Sequence, residues 1–319
     1  MAKPTEPENE ASPRDLAARA AWLSFVGGLT QDQIAADLGI SRQRVQRLVA
    51  RAQAEGLIRV RIAHPIAVCL ELERALKARF GLESAWVSPD VGTGGDPLGG
   101  LAPFAAPVIE RIFLGEKSRS IAVGTGRTLR GVVEHMQSID GSHHKLVSLI
   151  GNVAPDGSAS FYEVIMRLAE KTTAPHYQMS IPVVARSPEE LDLFRSLPHV
   201  QATRVLAAAA DIAIVGIGQM GRDAPLLVDG FISPAEQAEL EAAGAVGEML
   251  GNIFDSNGVY LDHPINSRIV GVRVPTGHMS VLCIAAGASK VVPLRAALAG
   301  KLMSGLITDE TTAKTLLKS

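Results

Sequence analysis

GLTQDQIAADLGISRQRVQRLVARAQAEGLIRVRI, residues 28–62, contains two short helical patterns joined by a tight turn. Thr30-Gln31-Asp32-Gln33 has the form of a capping box, in which the Thr30 hydroxyl takes an orphan backbone N–H and Gln33 reaches back to the cap. Ile34, Ala35 and Leu38 follow at helical spacing and form an inner face. Gly39 suits the left-handed conformation that stops a helix, Ile40 packs beneath the turn, and Ser41 is a good N-cap for the next helix. That helix, Ser41 to Glu55, sets Val45, Leu48, Val49 and Ala52 on one side, leaving Arg42, Gln43, Gln46 and Arg47 mainly on the other. The pattern predicts a helix-turn-helix whose second helix faces the major groove of DNA.

The residue types on that face match their positions. Arginine donates bidentately to guanine, glutamine pairs with adenine, and a helix N-terminus beginning at Ser41 suits a phosphate. Arg44 and Arg51 are placed for backbone phosphates. The expected DNA-binding set is therefore Ser41, Arg42, Gln43, Arg44, Gln46, Arg47 and Arg51. Gly56 to Ile62 alternates apolar and basic residues like a strand, which predicts a wing. Charge supports the same reading. The whole chain carries −2, yet residues 41–61 hold six arginines against Glu55 alone, a local +5 that leaves −7 for the remainder. A three-helix interaction module is the alternative; caps, turn, basic face and wing together favour DNA.

Upstream, Leu16, Ala20, Leu23 and Val26 recur at helical spacing and Gly27-Gly28 ends the run, so a first helix begins near Pro13. Residues 1–12, rich in Pro and Glu, read as a disordered tail. At 319 residues the chain is long enough for two domains. The expected layout is a helix-turn-helix domain over 13–63, a linker helix over 64–82 and a large effector-binding domain over 83–319. The linker helix, with Val68, Leu72, Leu76 and Phe80, connects the domains or pairs subunits.

A composition of 47% hydrophobic and 20% charged residues excludes general disorder and fibrous repeats. The start, MAKPTEPENE, lacks the basic patch and apolar run of a secretory signal. Val205 to Gly218, the most apolar stretch, is broken by Asp211 and falls short of the ~20 residues of a membrane span. A cytoplasmic protein with no membrane partner is expected. Cys69 and Cys283 lie far apart in apolar segments and read as reduced packing residues, with no metal-ligand spacing, no disulfide framework and no cofactor implied.

Beyond the linker helix, β-branched runs alternate with helical patterns. Ile121 to Val123, Leu146 to Ile150, Ile212 to Ile217, Ile269 to Val274 and Val281 to Ala285 are the expected strands. The fold class is α/β, with a largely parallel sheet covered on both faces. Gly94 to Pro97 and Gly99-Gly100 read as a loop. Ligands of such sheets sit at the carboxyl ends of strands. Three Gly-rich turns follow strands here. In Val123-Gly124-Thr125-Gly126-Arg127-Thr128-Leu129, backbone N–H groups and two threonine hydroxyls suit a phosphate or sugar. Asn152, in Gly151-Asn152-Val153, suits sugar hydroxyls or is simply a turn residue. Gly216 to Gly221 reads as a tight turn rather than a ligand contact. Glu248 and Lys290 are the charged pair expected at a polyhydroxylated ligand, since a carboxylate accepts from hydroxyls and a lysine neutralises phosphate.

Residues 28–62, VGTGRTL (123–129), GAVGEMLGNIFDSNG (244–258) and LITDETTAKTLL (306–317), dispersed through the chain in this order, resemble the sugar-binding transcriptional regulators of the SorC family. The likeness runs from about Arg14 onward. It implies a winged helix-turn-helix joined to an effector domain similar to sugar-phosphate isomerases and aminosugar-phosphate deaminases, assembled as a homotetramer on operator DNA. The effector it implies is a sugar, polyol or sugar phosphate, held around Gly124, Thr125, Gly126, Asn152, Glu248 and Lys290. Whether that effector relieves repression or triggers activation stays open. A sugar-phosphate isomerase or deaminase is the competing function, because fold does not dictate chemistry. Against it, Arg222 and then Asp223 stand where the related deaminases carry a catalytic histidine, and arginine is a poor proton shuttle. His176, His263 and His278 are the remaining candidate bases.

Overall fold

Local caps decide where the first three helices begin: α1 (Pro13–Phe25), α2 (Gln31–Leu38) and α3 (Arg42–Ala54). Ser12 and Asp15 form a capping box at α1. At α2, Thr30 N donates to Gln33 Oε1 at 2.9 Å while Gln33 N donates to Thr30 Oγ1 at 3.4 Å. Gly39, at φ 64°, closes α2 in the left-handed conformation that a side chain would disfavour. Ser41 Oγ then accepts from Arg44 N at 3.3 Å and starts α3. Ala17, Ala20 and Ala21 pack against Val45, Leu48 and Ala52, the small side chains letting α1 and α3 approach closely, with Ile34 of α2 completing this core. The computed structural model describes residues 12–58, 67–90, 96–154, 157 and 163–318, in two units, Met1–His64 and Pro65–Ser319. The basic part of the expected wing, residues 59–62, lies outside the described residues.

The second unit opens with α4 (Ala67–Phe80), β1 (Ser84–Ser88), α5 (Pro97–Phe113), β2 (Ser120–Val123), α6 (Arg127–His135), β3 (Lys145–Val153), α7 (Val164–Thr172) and β4 (His176–Pro182). It continues with α8 (Pro188–Ser196), α9 (Pro198–Ala208), β5 (Ile212–Val215), β6 (Gly218–Gln219), α10 (Pro225–Val228), α11 (Pro234–Ala242), β7 (Gly247–Met249) and β8 (Asn252–Phe254). It ends with β9 (Ser280–Ile284), α12 (Val291–Ala299), β10 (Gly305–Asp309) and α13 (Glu310–Leu317). Seven strands form one parallel sheet in the order β1-β10-β9-β5-β2-β3-β4. Strands β6, β7 and β8 form a small antiparallel sheet.

Both faces of the large sheet are buried, so its central strands are apolar at successive positions. Ile121 and Val123 of β2, Ile214 of β5 and Leu282 and Ile284 of β9 point into one core, shared with α5, α6 and α7. Ala122, Ala213, Val215, Val281 and Cys283 point into the other. Both cysteines are buried free thiols, and burial pushes the Cys283 thiol up to about 12. Helix α4 lies on this unit: Glu73 accepts from Val87 N of β1 at 3.0 Å, and Arg79 donates to Leu317 O of α13 at 2.7 Å.

Two local expectations fail. Ile269 to Val274 is not a strand: Ile269 makes a single bridge to Val184, and its carbonyl and those of Val270 and Gly271 go to the guanidinium groups of Arg195 and Arg204. Ile269, Val270, Val272 and Val274 are β-branched and buried, which produces a strand-like composition without a strand ladder. Gly99-Gly100 is not loop but lies inside α5, whose start is set by Asp96 accepting from Leu98 N at 3.0 Å and by Pro97 in the first turn.

Candidate functional site

Strand order creates the site. From β2 the chain steps outward through β3 to β4, then returns to place β5 on the other side of β2. The loops leaving β2 and β5 therefore diverge, and ligands of open parallel sheets bind in the crevice this opens. A cavity of about 440 Å³ lies there, lined by Thr125 to Leu129 after β2, by Gly216 to Gln219 after β5, and by Glu248 of β7 and Lys290 before α12. Ile150, Val183, Leu226, Phe231 and Leu250 supply its apolar wall.

One end of the cavity is built for an anion. Helix α6 starts from Gly126 and α12 from Lys290, neither with a side-chain cap, and the residues at both starts line the space. The first N–H groups of α6 and the positive end of its dipole are left for a ligand, whereas Lys290 N and Val291 N donate to Gly287 O and Ala288 O of the short 3-10 turn, Ala288–Lys290, that runs into α12. Thr125, Thr128 and Ser289 add hydroxyls, and Arg127 adds a guanidinium. Lys290 Nζ donates to Ile217 O at 2.8 Å. Burial lowers the Lys290 pKa, and the nearby Glu248 carboxylate opposes that shift.

Glu248 sits opposite as the acceptor. Burial raises its pKa, while the Gly251 N–H bonded to Oε2 at 2.8 Å and the charge of Lys290 hold it down; Asp229 nearby raises it further. Its position depends on Gly218, because a Cβ there would lie 2.8 Å from Glu248 Cδ. β6 pairs Gly218 with Glu248 across the small sheet, so the glycine of the β5 turn and the carboxylate of β7 are one arrangement.

Of the six residues expected at the ligand, Thr125, Gly126, Glu248 and Lys290 line the cavity and Gly124 and Asn152 do not. Gly124 is buried and spends its N–H on Ile214 O at 2.9 Å. Asn152 continues β3 toward the sheet edge, where Nδ2 donates to Gln178 Oε1 at 3.0 Å. The Gly216 to Gly221 segment, expected to be only a turn, contributes Gly216, Ile217, Gly218 and Gln219 to the wall. Asp223 and Asp229, which flank α10, also line the cavity; the sequence names Asp223 only as the residue after Arg222 and gives Asp229 no role, because both look like ordinary surface charges. Arg127, the first residue of α6, is a further lining residue whose role the sequence pattern does not reveal. Among the described residues, no group of three His, Cys, Asp or Glu is placed to hold a metal ion, and no helix is long and apolar enough to cross a membrane.

His176, His263 and His278 all lie off the cavity. His263 Nδ1 accepts from Ile265 N at 3.3 Å, and His278 lies 4.0 Å from Asp211. None of them faces a ligand as a general base.

On the first unit, Ser41, Arg42, Gln43, Arg44, Gln46, Arg47 and Arg51 are all exposed, while Val45, Leu48 and Ala52 of the same helix are buried. Arg42 pairs with Asp32 at 3.4 Å and Arg51 with Glu55 at 2.5 Å. Exposed pairs of this kind are worth at most about 1 kcal/mol, so neither stops the guanidinium from turning to a phosphate or base. Arg44 and Arg47 make no ion pair among the described residues.

Comparison with known proteins agrees with both halves. Residues 64–318 match the family model described as "Putative sugar-binding domain", and residues 20–65 match the MarR family. The erythritol catabolism regulatory protein EryD of Brucella abortus is 37% identical over 95% of this chain and 96% of its own length. The transcriptional regulator LsrR of Klebsiella pneumoniae is 33% identical over 95% of this chain and 93% of its own. The full-length sorbitol operon regulator SorC of Klebsiella pneumoniae superposes with a TM-score of 0.75 at 27% identity, over 95% of this chain and 98% of that one. All three are named as regulators, and none as an isomerase or deaminase. The chain thus belongs to the SorC family of transcriptional regulators, with a helix-turn-helix DNA-binding region followed by a sugar-binding domain.

Proposed function

We propose that α3 reads operator DNA through Arg42, Gln43, Gln46 and Arg47, with Ser41, Arg44 and Arg51 on phosphates, and that operator affinity is set by a sugar, polyol or sugar phosphate in the cavity. The observation that carries the ligand half is the meeting, in one crevice, of the uncapped start of α6, the Lys290 ammonium and the Glu248 carboxylate. The start of α6, Thr125, Gly126 and the Lys290 side chain take a phosphate; Glu248 accepts from hydroxyls. Gly124 and Asn152 support the walls rather than touch the ligand. The 37% identity to a regulator named for erythritol catabolism makes four-carbon polyols and their phosphates the first compounds to test. The active species is a cytoplasmic homotetramer, in which ligand binding changes the spacing of recognition helices. Thermal unfolding of the full chain with matched free and phosphorylated polyols tests the ligand half. A ligand at ~100 times its Kd stabilises by about 2.7 kcal/mol, and Lys290→Ala abolishes the shift. Equal shifts in wild type and Lys290→Ala contradict the assignment.

A further inference from the structure

The charged groups on the cavity wall are unevenly shared. Arg127 and Lys290 lie at the helix starts, whereas Glu248, Asp223 and Asp229 supply three carboxylates. The electrostatic neighbours run in order: Arg127 acts on Lys290, Lys290 on Glu248, and Asp229 on Glu248. Asp229 is thus a neighbour of Glu248, as Arg127 is of Lys290, and Asp223 lines the same cavity. Asp223 and Asp229 come from a single excursion of the chain between β6 and α11, with Pro225 and Leu226 between them also on the wall.

We propose that Asp223 and Asp229 are specificity determinants, which make the cavity accept a polyhydroxy compound with one phosphate and reject the same compound with two. This rests on the reading of the α6 start and Lys290 as a phosphate site. A carboxylate only accepts hydrogen bonds, so hydroxyls satisfy it, whereas a second phosphate brings like charge and few donors. Asp223 is exposed and Asp229 half-buried, so that repulsion is partly screened and weakens as salt is added.

The test is calorimetric titration of the full chain, with chelator present so that no divalent cation bridges phosphate to carboxylate. The probes are two matched pairs: erythritol 4-phosphate against erythritol 1,4-bisphosphate, and fructose 6-phosphate against fructose 1,6-bisphosphate. In each pair that binds, the monophosphate is expected to be tighter by at least about tenfold. In the double variant Asp223→Asn with Asp229→Asn, the ratio falls to within about threefold. A bisphosphate that binds wild type as tightly as its monophosphate overturns this inference alone. So does an unchanged ratio in the double variant, provided that it unfolds at the wild-type temperature. If neither pair nor inorganic phosphate binds, the phosphate site itself is wrong and the inference falls with it.

Discussion

Gly218 and Glu248 define each other, since the carboxylate occupies the space a Cβ at 218 would need. Gly218→Ala should cost about 1–3 kcal/mol, as overpacking does, and weaken ligand binding by displacing Glu248; calorimetric unfolding without ligand checks the first part and titration the second. His144 gives a pH dependence far from the ligand. It is fully buried, its Nδ1 accepts from Arg119 N at 3.0 Å, and its Nε2 lies 3.1 Å from Phe113 O, so the neutral ring fits. Burial lowers its pKa from the ordinary 6.5. A histidine with a depressed folded pKa contributes stability that is complete above 6.5 and is lost as pH falls from there through its folded value. Stability should therefore drop from pH 7 to 5, and less steeply in His144→Gln; parallel slopes would remove His144 as the cause. At this scale sequence was an uneven guide. Lys290 and Glu248 are expected at the ligand from their chemistry and from the family likeness together, although periodicity alone makes them surface charges. Neither Asp223 nor Asp229 is marked as a ligand contact by the sequence, since their place on the cavity wall comes from the sheet order that brings the flanks of α10 to the crevice.

The elements of the first unit were legible because caps are local: Thr30, Gln33, Gly39 and Ser41 act within four residues of themselves. Ser41→Ala should lower the stability of the helix-turn-helix unit by about 1 kcal/mol through loss of the α3 cap, measured by thermal unfolding. Arg42→Ala or Gln43→Ala should reduce preference for operator over random DNA by ~1–3 kcal/mol. Arg44→Ala should instead weaken binding to all sequences and reduce the salt slope by about one. Equal losses on both DNAs for Arg42 and Gln43 would count against base reading. Strand elements were harder to see. β4 and β1, the two sheet edges, carry exposed or half-buried positions that break the apolar run, while Ile269, Val270, Val272 and Val274 are apolar for burial and the carbonyls of residues 269–271 go to arginine side chains instead of a strand ladder.

For the whole molecule, the parallel α/β class was readable from alternating β-branched runs, and its consequence, a crevice at the carboxyl ends of β2 and β5, follows from strand order alone. Strand order is long-range and has no local signature, which is why the wall from Gly216 to Gln219 was read as a mere turn. The proposed coupling between that crevice and α3 needs both units of the chain, so full-length material is required to observe it. The direct measurement is fluorescence anisotropy of labelled DNA from the region upstream of the chain's own coding sequence, titrated with the full chain with and without the polyol or polyol phosphate that stabilises it. The account predicts that saturating ligand shifts operator affinity by at least about fivefold, the lower end of ordinary allosteric coupling, and that Lys290→Ala binds the DNA but loses the shift. Operator affinity that stays constant while ligand demonstrably fills the cavity would contradict it.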